Sequence, residues 1–197
     1  MKDRHKSADT EPVSATPRPL DTVLDRARDG DPEAFDVLYC AHRRAVAGYL
    51  RARGVRDADD LANEIFVRAF RNIRTVRGDA ERFRSWLFGI AHNAAVDDAR
   101  RRRRRPDETP LDTHVVPSGG DVEHEAGLAL ERDQVLALLG DLAPDQRDVL
   151  LLLIVADLSV SQTAAVLDKS YEAVKALERR GLAALRRRLA SSPDVAH

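Results

Sequence analysis

The chain is short of several residue types, and each shortage excludes a class of protein. One cysteine, Cys40, among 197 residues excludes an internal disulfide, and no Cys/His cluster has the spacing of a zinc site. The longest apolar run, residues 149–156, is far shorter than the ~20 residues that cross a membrane. Residues 1–19 lack the apolar core of a signal peptide. These shortages predict a soluble, cytoplasmic protein without a membrane span.

Aromatic residues and net charge are also scarce. Aromatics make up 5% of the chain and the formal net charge is −1, so any nucleic-acid binding must depend on where the charges sit. The apolar residues are mostly Leu, Ala and Val among many Arg and Asp, which favours helices over sheets. The sequence contains no Gly-rich phosphate loop, no nucleophile elbow and no convincing acid/base dyad. We therefore expect a protein that is not an enzyme and needs neither a cofactor nor a metal.

Proline, glycine and acidic residues divide the chain into segments. Residues 1–19 form a polar, proline-containing tail, and helix signals are dense over residues 20–105. Prolines, glycines and acidic residues then mark residues 106–127 as a flexible acidic linker. Helix signals return over residues 128–190, and residues 191–197 form a second tail. Since no run alternates with period 2, the predicted fold is all-α, with two small helical domains joined by the linker.

Four helices are predicted in the first domain. The first covers residues 20–28, and the second has Asp31 as N-cap, Pro32 at its first position and Gly54 after its end. The third begins near Asp57. The fourth starts after residue 79, carries an apolar stripe and runs into six consecutive arginines, Arg100 to Arg105.

The second domain contains the pattern of a helix-turn-helix. Helices are predicted over residues 128–139 and 144–156. Ser159 and Gln162 then form a capping box, Asp168 lies in a tight turn, and Ser170 caps a long final helix. An ordinary helical hairpin is the alternative interpretation. DNA binding is favoured by the polar residues off the apolar stripe of the last helix: Tyr171, Glu172, Lys175, Arg179 and Arg180.

Single residues with reactive or aromatic side chains carry little functional signal. Trp86 shares a helical stripe with apolar residues, so a core position is favoured over a base-stacking one. Cys40 is predicted to be a small buried residue. His42 and His92 have no ligand partners at useful spacing and are assigned no chemistry. The arginine run has two interpretations. It is either a solvated charged face or a helix end that holds phosphates, and the second is suggested because Asn93 and two aspartates precede it on the same helix.

Five segments in this order resemble the extracytoplasmic-function (ECF) group of sigma-70 family sigma factors. Residues 57–66, DADDLANEIF, resemble the polymerase-binding pattern D-A-E-D-L-x-Q-E-x-F. Residues 83–93, FRSWLFGIAHN, resemble F-x-x-W-L-x-x-I-A-x-N, which opens the promoter −10 element. Residues 142–150, LAPDQRDVL, resemble L-P-x-x-x-R-x-V-L at the start of the second domain. The other two segments are DPEAF at 31–35 and the helix-turn-helix at 158–175, and the match covers roughly residues 20–190.

The resemblance implies a function and a set of site residues. A protein of this group binds core RNA polymerase, recognises the −35 and −10 elements and promotes DNA opening. Promoter DNA and core polymerase are then the partners, with an anti-sigma factor as a further candidate. The implied polymerase-binding residues are Asp57, Asp59, Asp60, Asn63 and Glu64. The implied −10 residues are Trp86, Asn93, Asp97, Arg100 and Arg101, beside the loop 74–84. The implied −35 residues are Ser170, Tyr171, Glu172, Lys175, Ala176, Arg179 and Arg180.

Departures from the family pattern and two other protein classes keep alternatives open. Asp168 stands where the family has glycine, and Glu178 where an apolar residue is common, so the last helix is free to present a rotated face. A stand-alone helix-turn-helix regulator would leave residues 57–66 unexplained. A helical adaptor that binds only protein would leave the arginine placement unexplained.

Overall fold

The computed structural model describes residues 19–104, 139–140 and 142–191. Across those ranges the chain is helical and contains no strand, which confirms the predicted all-α class. The predicted linker lies outside the described residues, as do the predicted tails except Pro19 and Ser191, and the helix predicted over residues 128–139 except Leu139. The described helices are α1 (Pro19–Arg28), α2 (Pro32–Ala52), α3 (Ala58–Asn72), α4 (Ala80–Arg104), α5 (Pro144–Ile154), α6 (Val160–Leu167) and α7 (Tyr171–Ser191), with a 3-10 turn at Ile73–Thr75.

Local chemistry sets the start and the end of α2 where the sequence predicts them. The Asp31 side chain accepts hydrogen bonds from the backbone N of Glu33 and Ala34 at the start of α2. The hydrogen bond from Arg26 is the main cause that lowers the pKa of Asp31, so the cap stays ionised. Gly54 has φ of 78° just after α2, a left-handed conformation that glycine adopts freely. These boundaries of α2 are therefore confirmed.

The inward faces of α1 to α4 form the core of the first half. Leu38, Phe66, Phe83 and Leu87 are each at most 2% exposed and belong to one continuous apolar cluster. The prediction that Cys40 is buried is wrong, because its side chain is exposed. Cys40 lies two residues after the buried Leu38, about 200° around the helix, so it faces solvent.

The second half packs directly onto the first. Leu151, Leu152 and Leu158 belong to the same buried cluster as the cores of α2 and α4. An ion pair between Arg53 and Asp148 also joins α2 to α5, with side chains 12% and 10% exposed. The sequence predicts the helices on both sides of this interface but not the interface.

Gly181 marks a close approach of α7 to α5. A Cβ atom added there would lie 2.9 Å from Leu150 Cδ1 and 3.3 Å from its Cγ, whereas one added at Gly89 in α4 would meet nothing within 4 Å. Gly181→Val should therefore lower the free energy of unfolding by about 1–3 kcal/mol through overpacking. Gly89→Ala, the control within a helix, should raise it by about 0.5–1 kcal/mol. Urea denaturation of both variants checks this, and equal stabilities would contradict the close packing.

His42 should make the fold sensitive to acid. Its ring is 7% exposed and lies 5.8 Å from the Phe83 ring. Burial, with the positive charge of Arg84, lowers its pKa from 6.5 to about 4. The unfolded chain therefore takes up this proton first, so the neutral histidine's contribution is present above pH 6.5 and is lost as the pH falls towards 4.

The expected loss from His42 between pH 7 and pH 5 is about 2 kcal/mol. His42→Leu should abolish that part of the pH dependence, as measured by urea denaturation at the two pH values. Asp148 acts in the opposite direction in both proteins, because burial raises its pKa to about 6. An unchanged difference between pH 7 and pH 5 in the variant would assign the acid sensitivity elsewhere.

Candidate functional sites

The start of α3 presents an acidic face. Asp57 is the N-cap residue, and the side chains of Asp60 and Glu64 on the following turns are exposed. Asp59 differs, because its carboxylate pairs with Arg51 at 2.5 Å and with Arg43 at 3.9 Å on α2. Asp59 therefore ties α3 to α2, and Asp60 and Glu64 are the acidic side chains placed to meet a partner.

Asn63 is held in place by a neighbouring helix. Its Oδ1 accepts a hydrogen bond of 2.8 Å from the Tyr39 hydroxyl, and the Tyr39 ring lies edge-on to Phe66 with the centroids 4.9 Å apart. The amide is nevertheless exposed. Asn63 thus lies on the outer side of α3 beside Asp60 and Glu64, with its orientation fixed by α2.

A cleft of mixed charge joins the acidic face to the basic end of α4. α3 and the turn before it contribute mostly acidic side chains to its lining, and the last turns of α4 contribute mostly basic ones. The charged lining residues are Arg56, Asp57, Asp60, Glu64, Asp98, Arg101, Arg102 and Arg104. The residues assigned from the sequence to polymerase and to DNA therefore border one another.

The arginines at the end of α4 do not share one role. The Arg102 Nη1 donates to the Gly54 carbonyl at 2.5 Å, and its Nη2 lies 3.0 Å from Asp98 Oδ2. Arg100 pairs with Asp97 at 3.6 Å, whereas Arg101 is exposed. Arg102 therefore anchors the end of α4 to the turn after α2. The sequence does not distinguish Arg102 from the identical residues beside it, so this role could not be predicted.

The middle of α4 separates a core side from an exposed side. Trp86 is half-buried against the core, its ring centroid 6.1 Å from that of Phe83, as predicted for a core residue. His92 Nδ1 lies 2.9 Å from the Tyr49 hydroxyl. Asn93 lies between these buried contacts and the end of α4, and its side chain is exposed. Its amide is therefore available to a ligand, as is the exposed Arg101 beyond it, whereas Asp97 is paired with Arg100.

The predicted helix-turn-helix is present in the second half. At the start of α6, the Gln162 backbone N donates to Ser159 Oγ at 3.2 Å and the Ser159 N donates to Gln162 Oε1 at 2.8 Å. Asp168 takes the left-handed conformation, φ 51° and ψ 48°, that the family's glycine would take. Ser170 Oγ accepts from the Ala173 N at 3.1 Å, which caps α7.

The first turns of α7 present a polar face. Val174 is fully buried and Leu177 is half-buried beside it, so these two hold the helix to the domain. Glu178 pairs with Lys175 at 2.8 Å, and this hydrogen bond raises the pKa of Lys175. Ala176 is half-buried, and the exposed residues of the predicted DNA-binding set are Ser170, Tyr171, Glu172, Lys175, Arg179 and Arg180.

Each half of the chain matches a known protein family. Sigma-70 region 2 matches residues 38–105, and Sigma-70 region 4 matches residues 138–187. The ECF RNA polymerase sigma factor BldN of Streptomyces coelicolor is 33% identical over 182 residues, 88% of this chain and 66% of its own length. The ECF RNA polymerase sigma factor SigD of Mycobacterium tuberculosis is 31% identical over 186 residues, 90% of this chain and 87% of SigD. The chain belongs to the ECF sigma factors.

A solved structure agrees with this assignment. CnrH in complex with the cytosolic domain of CnrY has a TM-score of 0.66 and 27% identity, and the match covers 88% of this sigma factor and 99% of that chain. The interpretation as a sigma factor is confirmed over the stand-alone regulator, because region 2 is present together with region 4. This sigma factor acts in transcription initiation with RNA polymerase and promoter DNA.

Sigma factors are DNA-binding transcription initiation factors and are not catalysts in themselves. Over residues 19–104 and 142–191, no group of three or more His, Cys, Asp or Glu is arranged to hold a metal ion. None of the helices described is long and apolar enough to cross a membrane.

Proposed function

We propose that this sigma factor docks onto core polymerase through the outer face of α3 and the adjoining cleft. The observation that carries this proposal is that Asp60 and Glu64 are exposed on successive turns of α3. Asp59, in contrast, is already paired with Arg51 of the same chain. Two exposed carboxylates on one helix face fit a basic surface of the polymerase, since complementary charge steers and orients protein partners. Core polymerase supplies the catalysis, and this chain, which is not itself an enzyme, works with it in the cytoplasm.

The −10 element is read by α4 in this proposal. Asn93 is exposed on the same helix as Arg100 and Arg101, so its amide can bond a base edge while the guanidinium groups hold phosphates. Arg84 and the loop 74–84 lie at the start of the same helix. A base withdrawn from the duplex needs hydrogen-bonding edges of this kind, because it loses its stacking and pairing partners.

The −35 element is read by α7, with Arg179 and Arg180 as the base-reading candidates. Both are exposed, and Arg179 lies one turn beyond Lys175 on the same face. Arginine forms two hydrogen bonds with a guanine edge, whereas Lys175 is already paired with Glu178. Arg179→Ala or Arg180→Ala should therefore change the base preferred within the −35 element, as measured by selection from randomised −35 sequences.

Arg186→Ala is the control for the −35 prediction. Arg186 is exposed two turns further along α7 and should contact phosphate, so its removal should weaken binding to all sequences about equally. The slope of log affinity against log salt concentration should also become shallower, by roughly one unit for each phosphate that is no longer neutralised. If both Arg179→Ala and Arg180→Ala select the wild-type motif, the base-reading face of α7 is the one with Tyr171 and Glu172.

An anti-sigma partner is also part of the proposal. Its support is that CnrH, whose fold this sigma factor shares, was solved in complex with the cytosolic domain of CnrY.

The proposal is tested by mixing the purified chain with core polymerase and separating the complex by size-exclusion chromatography. We expect stoichiometric co-elution without DNA, and binding to promoter duplex only after the complex has formed. Tight duplex binding by the chain alone, with no co-elution, would favour the stand-alone regulator instead.

A further inference from the structure

Helix α1 is bonded to the loop 74–84, which is proposed to lie beside the −10 strand. The Arg74 Nε donates to the Arg28 carbonyl at 2.9 Å, and the Arg28 Nη2 donates in return to the Gly78 carbonyl at 2.6 Å. These bonds join residues that are 46 and 50 positions apart in the sequence. The backbone and the side chain of one arginine in α1 therefore hold two points of the loop.

The start of α4 is bonded to α1 as well. The Ala80 backbone N is among the first N–H groups of α4, which have no acceptor within the helix. It donates to the Asp21 Oδ1 at 2.8 Å, whereas the Arg82 N is capped locally by the Asp79 Oδ1 at 2.9 Å. Since the bonds from α1 are made to backbone groups, the exposed side chains of Arg77 and Arg82 are available to DNA.

The helix α1 is itself firmly anchored. Leu24 and Ala27 are fully buried in the core of the first half. Asp25 pairs with Arg28 at 2.7 Å and so fixes the direction of the guanidinium group, whose side chain is only 22% exposed. The helix therefore gives the loop a fixed support on the side away from solvent.

We propose that Asp21 and Arg28 are positioning residues for the −10 element, which hold the loop 74–84 in the conformation that receives the unpaired strand. A loop that is ordered before the strand arrives avoids the cost of ordering at binding, so the strand binds more tightly. Asp21 acts through the loop and not on DNA, because a carboxylate repels phosphates. This positioning role rests on the proposed −10 assignment of α4 and the loop.

The first test uses the sign of a charge effect. In holoenzyme assembled with core polymerase, Asp21→Ala should weaken binding of a single-stranded −10 oligonucleotide by about two- to five-fold, because the loop then spends part of its time outside its binding conformation. Removal of a negative charge alone would tighten binding to DNA. Asp21→Asn keeps an oxygen acceptor at the same place and loses the charge, so it should bind at least as tightly as wild type. Fluorescence anisotropy measures the affinities.

Asp29→Ala is the matched control for Asp21→Ala. Asp29 is exposed in the turn after α1, so this variant loses the same charge without losing a bond to the loop. It should bind the oligonucleotide no more weakly than wild type. Hydrogen exchange of the backbone over residues 74–83 should be faster in Asp21→Ala than in Asp29→Ala, since only the first variant releases the loop.

The second test keeps the charge and changes the geometry. Arg28→Lys removes the planar fork that bonds Asp25 and the Gly78 carbonyl together, so it should also weaken binding of the oligonucleotide by about two- to five-fold. Arg26→Lys is its control on the same helix, because the Arg26 guanidinium pairs with Asp31 and not with the loop. The control should bind as wild type does.

A positioning role differs from a general role in stability by what stays unchanged. Each variant should bind core polymerase and a duplex with the −35 element as wild type does, because the bonds to α1 lie at the loop and the start of α4. Core binding that falls in step with oligonucleotide binding would therefore overturn the positioning role.

The remaining outcomes separate this inference from the proposed function. Wild-type affinity in Asp21→Ala, or equal weakening in Asp29→Ala or in Asp21→Asn, would overturn the positioning role and leave the proposed −10 assignment intact. A wild-type holoenzyme that forms but does not bind the −10 oligonucleotide would instead contradict that assignment, and the positioning role with it.

Discussion

Replacing Asp60 and Glu64 together with lysine should weaken binding to core polymerase by about 30-fold or more. Both carboxylates are exposed on α3, so reversal turns two attractive contacts with a basic partner surface into two repulsive ones. The fold should survive, because neither side chain contributes to the buried core. Titration of fluorescently labelled chain with core polymerase measures the change in affinity, and circular dichroism checks the helices.

A matched charge reversal distinguishes the site from a general effect of charge. Asp29→Lys with Asp36→Lys changes the net charge by the same amount at exposed positions in the turn before α2 and in its second turn. This control should bind core polymerase within about two-fold of wild type, since distant exposed charges are largely screened at physiological salt. Equal affinities of both double variants and wild type would remove the outer face of α3 from the polymerase interface.

Asn93→Ala should reduce promoter opening and relax the preference at one position of the −10 element. Removing a good hydrogen-bonding partner of a base edge costs about 1–3 kcal/mol, which is roughly 5- to 150-fold in occupancy. Asn93 is exposed, so truncation should leave the core packing unchanged. Permanganate footprinting of open complexes over a panel of −10 variants measures both effects.

Asn72→Ala provides the comparison for this variant. Asn72 is an exposed asparagine at the end of α3 whose Nδ2 donates to the Arg68 carbonyl, so the same truncation removes only a local helix contact. It should open promoters as wild type does. If Asn93→Ala opens every promoter in the panel as efficiently as Asn72→Ala, Asn93 is not a base-reading residue.

The sequence predicts those features of the fold that depend on a few neighbouring residues. The Asp31 cap and the Ser159–Gln162 capping box are each determined by side chains that reach backbone groups within three residues. The left-handed turn falls at Asp168, a residue type that tolerates this conformation. The same is true of the buried stripe of α2, because helical periodicity fixes which side chains share a face. The order of these local patterns along the chain is what indicates the family.

Features that depend on residues distant in sequence could not be predicted. The pairing of Asp59 with Arg51, and the bond from Arg102 to Gly54, distinguish each residue from identical neighbours only after the helices have packed. The contact of Arg53 with Asp148 joins residues 95 positions apart. The burial expected for Cys40 fails for a local reason, because the expectation followed residue type and not the helical periodicity that places Cys40 about 200° from the buried Leu38.

The assignment of residues to the polymerase, −10 and −35 surfaces stays a prediction. How clearly the exposed side of a helix is separated from its buried side differs between α7 and α4. For α7 the exposed polar face is separated cleanly from Val174 and Leu177, so the sequence pattern already divides the two sides. For α4 the sequence predicts an apolar stripe, but the helices that bury it are seen only in the structure.

The most direct test of the central claim is run-off transcription by core polymerase on templates with randomised −35 and −10 segments. We expect no specific transcripts from core polymerase alone, and a transcript pool enriched for one pair of elements when this sigma factor is added. Asn93→Ala should alter the enriched −10 element and Arg179→Ala the enriched −35 element, each leaving the other unchanged. A protein that binds core polymerase yet selects no promoter from the library would contradict the account.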